Sequence, residues 1–181
     1  MRTTAEEFDA VIALCKDVFV KKMQDYGPAW RIMRPESITD QLYIKANRVR
    51  SLEVKKESKV GEGIVPEFIA IVNYGIMGVV QARKGCADTV DMDKAEALSL
   101  YEACADEAKR LMLAKNHDYD EAWRHMRVSS YTDLILMKIN RTKRIEDHDG
   151  KTLVSEGVDA NYLDMVNYAV FALIKLALND Q

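Results

Sequence analysis

Apolar positions along the chain recur at steps of three and four, the spacing of one helical face, and alternation of period two is not the pattern. Phe8, Val11, Cys15, Val18, Phe19 and Met23 form such a stripe. Thr4 and Glu7 stand ahead of it with the spacing of a capping box, in which each side chain satisfies a backbone N–H at the helix start. A second stripe, Leu98, Tyr101, Ala105, Ala108, Leu111 and Met112, follows Asp93 and Glu96. Two further helices are expected to begin near Ser37 with Asp40 and near Ser130 with Asp133. Another, with Pro66 tolerated in its first turn, is apolar nearly all round: Phe68, Ile69, Ile71, Val72, Ile76, Met77, Val79 and Val80. Such a helix belongs in the middle of a bundle. The pattern predicts an all-α protein.

The chain also repeats itself. Residues 22–53 align with 115–146 at a constant offset of 93. Lys22, Asp25, Tyr26, Trp30, Arg31, Met33 and Arg34 recur as Lys115, Asp118, Tyr119, Trp123, Arg124, Met126 and Arg127. Thr39, Asp40, Lys45, Arg48 and Glu53 recur as Thr132, Asp133, Lys138, Arg141 and Glu146, and one inserted residue then aligns Asn73-Tyr74 with Asn167-Tyr168. Self-similarity of this kind marks a duplicated structural unit. The organisation expected is a first three-helix repeat over 1–84, a linker over 85–92 and a second repeat over 93–181, packed as one globule. Gly75 and Gly78 match Ala169 and Ala172, so the two apolar helices are expected to cross at small residues near a pseudo-two-fold axis.

Composition narrows the class. Hydrophobic residues make up 48% and charged residues 30%, with a net charge of -3, which suits a soluble globule and makes a nucleic-acid coat unlikely. Lys+Arg number 14 against 12 Asp+Glu in residues 1–90 and 12 against 17 in residues 91–181, so a cation site is expected in the second half. Three cysteines without metal spacing favour a reducing, cytoplasmic setting. The apolar stretch 64–82 carries Pro66, Glu67, Asn73 and Gln81, which suits a buried helix better than a membrane span.

Candidate chemistry lies where polar residues interrupt apolar stripes. Lys45 and Lys138 sit on the inner line of their helices and require an anion, because an isolated buried charge is costly. Arg48 and Arg141 lie one turn on and can share it. Two readings stay open: ion pairs of Lys45 with Glu62 and Lys138 with Glu156, or a ligand phosphate. Asn73 and Asn167 either tie helices together or hold a base or metal-bound water. Trp30 and Trp123 are either core or base-stacking surfaces, with Arg31, Arg34, Arg124 and Arg127 as phosphate forks. Glu156, Asp159 and Asp164 give the second repeat an oxygen set suited to magnesium. In the first repeat Ala70 replaces the aspartate, and Glu67 aligns with Asn161.

Lys115-x-x-Asp118-Tyr119, Lys138-x-x-Arg141 and Glu156 followed by Asp164-x-x-Asn167-Tyr168, echoed by Lys22, Tyr26-Gly27, Lys45-x-x-Arg48, Glu62 and Asn73-Tyr74, resemble nucleotide modification associated domain 1, a family related to MazG-like pyrophosphohydrolases. The resemblance implies a helical bundle, often dimeric, that binds a nucleoside phosphate with magnesium. A homodimer is compatible with it, although the internal repeat already supplies a two-fold partner. Glu156 and Asp164 would then be catalytic, with Asp159 completing the magnesium set. Lys138, Arg141, Lys115, Trp123, Arg124 and Asn167 would hold the nucleotide, with Lys45 and Arg48 as first-repeat counterparts. The reaction would release pyrophosphate from a nucleoside triphosphate. The family's aspartate before the helix-two lysine is replaced by Ile44 and Met137, which favours phosphate binding over hydrolysis. The alternative is a non-catalytic scaffold or nucleotide sensor.

Overall fold

The structure is a computed structural model that describes residues 1–57 and 63–178. It holds six α-helices and, among the described residues, no strand: α1 Thr4–Tyr26, α2 Pro35–Lys55, α3 Val65–Lys84, α4 Lys94–Tyr119, α5 Val128–Asp147 and α6 Val158–Leu173. A wider π turn, Ile174–Leu178, extends α6. Short 3-10 turns, Ala29–Ile32 and Ala122–His125, carry the two tryptophans between first and second helices.

Helix starts differ from expectation in detail. The capping box of α1 is Thr3 with Glu6, one residue earlier than Thr4 with Glu7. Thr4 and Glu7 are engaged elsewhere, in a network with Arg124 from the second repeat. α2 and α5 begin before Ser37 and Ser130, with Arg34 and Arg127 as N-caps and no side-chain cap. Pro35, whose fixed φ suits a first helical turn, moves the start of α2 forward. Asp93 caps α4 through Glu96 N–H as expected.

Each helix of one repeat meets its own counterpart in the other. In α1 and α4, Lys16 pairs with Glu102 at 3.2 Å and Lys109 with Asp9 at 2.6 Å. In α2 and α5, the Thr39 hydroxyl donates to Glu146 at 2.8 Å and the Thr132 hydroxyl to Glu53 at 2.7 Å. Arg50 with Asp133 and Lys143 with Asp40, both at 3.4 Å, flank them. Residues at equivalent positions thus exchange equivalent bonds, the signature of a pseudo-two-fold axis.

The most extensive interface is α3 against α6. A Cβ on Gly75 would stand 2.7 Å from Val166 Cγ2, and one on Gly78 would stand 3.0 Å from the Tyr162 ring. Ala169 and Ala172 are fully buried. Small residues let these backbones approach, and Ile71, Val72, Val79, Val166 and Val170 close around the crossing. Each such side chain contributes about 1.5–3 kcal/mol by leaving water. α3 is long and apolar enough to cross a membrane by composition, but 61% of that window is buried within the bundle, where it forms the core.

Segment 85–92 is tied down. Arg31, 2% exposed, donates to Asp91 at 2.9 and 3.1 Å and to the Gly85 carbonyl at 2.8 Å. Ala87 N–H returns a bond to the Arg31 carbonyl.

Candidate functional site

The inner lysines find carboxylates in both repeats, and in the second repeat it is not the one expected from sequence. Lys138 bonds to Asp164 Oδ2 at 2.8 Å, and Lys115, from the end of α4, takes Oδ1 at 2.9 Å. Glu156 is exposed in the loop before α6 and is not the partner of Lys138. Glu62 lies outside the described residues. In the first repeat, Arg48 bonds to Glu67 Oε1 at 2.6 Å and Lys45 stands 3.8 Å from Oε2. Ala70 has therefore not removed the acid. Glu67, one turn earlier on α3, supplies it through a longer side chain, while its counterpart Asn161 donates to the Gly157 carbonyl at the start of α6.

Burial alone would raise the Asp164 pKa, but hydrogen bonds from Lys138 and Lys115 outweigh it and hold the carboxyl below its ordinary range. The same carboxylate outweighs desolvation at Lys115 and raises its pKa. This cluster pairs one carboxylate with two ammonium groups and so keeps a net positive charge.

The expected magnesium set is not assembled. Asp164 is spoken for by two ammonium groups, Asp159 accepts from Arg83 at 3.1 Å, and Glu156 is exposed in its loop, bordering a pocket with Lys115 and Asp159. Among the described residues no three His, Cys, Asp or Glu side chains are grouped to hold a metal ion. As arranged, these residues do not form a shared metal site.

Several other expectations are corrected by geometry. Arg124 bonds to Glu7 at 2.6 Å, Glu121 at 2.9 Å and the Thr4 hydroxyl at 2.7 Å, so it joins repeats and does not face a phosphate. Trp123 has Phe171 stacked on its ring, centroids 4.4 Å apart and 9° from parallel, with the Arg124 guanidinium 4.4 Å from its centroid. It has no free face to offer a base. Asn73 and Asn167 are structural: their side-chain amides donate to the Cys15 and Ala108 carbonyls of the first helices, at matched positions. Arg141 is exposed and lines an open cleft of the second repeat together with Lys138, Arg144, Lys151 and Glu156.

Two residues were missed. Gln81 Nε2 donates to the carbonyls of Trp30, Arg31 and Met33, and Lys175, at the aligned position, donates to those of Arg124 and Met126. Both hold the tryptophan turn in place. Their shared register after Asn73 and Asn167 was the available signal, hidden because an amide and an ammonium do not look alike.

The repeats differ most in what lies beneath the tryptophan. In the first, a pocket of about 590 Å³ opens between α1, the tryptophan turn, α2 and α3, lined by Lys22, Tyr26, Trp30, Lys45, Glu67 and Tyr74 among others. Ala70 and Met77 also border it. Their counterparts are Asp164 and Phe171, which occupy the corresponding place in the second repeat with a paired carboxylate and a stacked ring. With Ala70 in place of the aspartate, Lys22 loses the partner that Lys115 has. It is exposed at the pocket with no ion-pair partner among the described residues. Two buried atoms that line this pocket's residues lack hydrogen bonds, Glu67 Oε2 and Trp30 Nε1.

Fold and site together define a tandem-repeat helical bundle with an aromatic pocket bordered by cations in its first repeat. The family model for nucleotide modification associated domain 1 matches residues 22–82 and again 115–176, and the chain belongs to that family. No curated protein and no solved structure matches it.

Proposed function

We propose that this protein binds a nucleotide or nucleoside phosphate in its first repeat, without metal-dependent hydrolysis. The observation that carries the reading is Lys22: a cation with no described counter-ion beside a pocket of a size that takes a small-molecule ligand. Lys45, 3.8 Å from its carboxylate, is also loosely held. A phosphate at the pocket mouth would supply the anion that Lys22 lacks and a second one for Lys45, while Tyr26, Trp30 and Tyr74 would meet an aromatic base. The family description, nucleotide modification associated, agrees with a ligand of this kind.

Pyrophosphate release of the MazG-like type would need a magnesium-binding carboxylate set, and the acids here serve as counter-ions instead. Binding as a sensor or accessory of nucleotide modification is the better supported reading. It reverses the expectation that the second repeat carries the better site.

Calorimetry with nucleoside mono-, di- and triphosphates, with and without magnesium, tests it. Saturable binding without pyrophosphate release is expected. Lys22→Ala should weaken phosphorylated ligands on the order of tenfold, through loss of one charge-assisted contact, and leave an unphosphorylated nucleoside nearly unaffected. Absence of binding by every nucleotide would overturn the proposal, and magnesium-dependent turnover would overturn its non-catalytic half.

A further inference from the structure

The geometry points to a base-reading pocket in the first repeat: we propose that Glu67 and Trp30 recognise the hydrogen-bonding edge of a planar heterocycle there, and that the equivalent position in the second repeat is filled by its own side chains. The identity of the heterocycle as a nucleobase rests on the nucleotide reading above.

Glu67 is 5% exposed, and its Oε1 is satisfied by Arg48 at 2.6 Å. Its Oε2 is buried and has no hydrogen bond, Lys45 at 3.8 Å being too far to provide one, and Glu67 is among the residues that border the pocket. A buried acceptor left unmade is costly, so this oxygen is placed to receive an N–H from whatever fills the space. Trp30 is 8% exposed, and its indole N–H, also without a partner, can donate to a carbonyl or ring nitrogen. The indole by itself would not mark a ligand, because Trp123 Nε1 is unpartnered too. The carboxylate makes the difference. In the second repeat both oxygens of Asp164 are taken by lysines, so that carboxylate has no free acceptor for a ligand.

Donor and acceptor on one flat, uncharged edge is the chemistry of a nucleobase, and Tyr26, Trp30 and Tyr74 supply ring surface for its faces. The second repeat has Phe171 where the first has Met77, stacked on the equivalent tryptophan. A ligand ring in the first repeat would stand where Phe171 stands in the second. The protein thus contains an internal picture of its own occupied site.

Titration calorimetry with free nucleobases and nucleosides, which lack phosphate, tests this directly. At least one should bind with a stoichiometry of one per chain. Met77→Phe, which copies a residue the second repeat already accommodates, should abolish binding while the circular dichroism spectrum and melting temperature are kept. Glu67→Gln should change the preference among bases more than tenfold, since it replaces an acceptor by an amide that can donate. Asn161→Glu/Asp164→Ala/Phe171→Met, which transplants the first-repeat set, should raise the stoichiometry toward two. Nucleotide binding that survives Met77→Phe unchanged, or a parent stoichiometry of two, overturns the pocket assignment while leaving the nucleotide reading standing. Nucleosides bound as tightly as their triphosphates support the pocket and instead remove the phosphate half of that reading.

Discussion

A lysine on an inner helical line demands a counter-charge, and the strength of that demand differs between the two repeats. Lys138 is 13% exposed and bonded to Asp164, whereas Lys45 is 31% exposed and stands at 3.8 Å from a carboxylate that Arg48 already satisfies. Lys138→Met should therefore cost about 2–3 kcal/mol, since it leaves a buried carboxylate with only Lys115. Lys45→Met should cost less than about 1 kcal/mol. Urea denaturation of both variants measures the contrast, and equal losses would contradict it. The pH dependence follows with a definite sign. Because the folded Asp164 pKa lies below its ordinary 3.8, its ion-pair stabilisation is present above that value and is lost as pH falls through the depressed one. Lys138→Met should therefore flatten the acid limb of the parent's stability curve.

At the scale of elements, the matched asparagines reveal where the symmetry is incomplete. The Asn73 side-chain carbonyl accepts from the Tyr101 hydroxyl at 2.8 Å, a bond from the second repeat to the first. The position aligned with Tyr101 is Phe8, which has no hydroxyl, and the Asn167 carbonyl is accordingly buried without a partner. Phe8→Tyr should supply the missing donor across the α1–α6 contact. We expect a gain of about 0.5–1.5 kcal/mol, seen as a higher melting temperature, where an added buried hydroxyl would ordinarily be destabilising. A lower melting temperature would show that the axis does not leave room for the oxygen.

At the scale of the whole molecule, three helix pairs, α1 with α4, α2 with α5 and α3 with α6, each cross the same axis, so neither repeat buries its third helix alone. The apolar surface of α6 needs α3, and the reverse. A chain of residues 93–181 by itself should not fold as a helical monomer. It should either lose its helical circular dichroism or associate with a second copy that restores the axis. A folded monomer by sedimentation would refute the claim that the two repeats form one cooperative core.

Helix class, duplication, the register of matched residues and the inward position of Lys45 and Lys138 were all determined by sequence, because periodicity and self-alignment are local and one-dimensional properties. Which acid each lysine meets was not. Glu67 reaches Arg48 from one turn before the aligned position, and no alignment column records the length of a side chain or the turn from which it reaches. Tertiary structure likewise decided that Arg31 and Arg124 tie segments together, that Trp123 is covered by Phe171, and that the space beneath the tryptophan is open in the first repeat. An acid absent from its column looked like a lost site. In three dimensions the small Ala70 leaves space and frees Lys22, because volume and charge balance are set by neighbours from several helices at once.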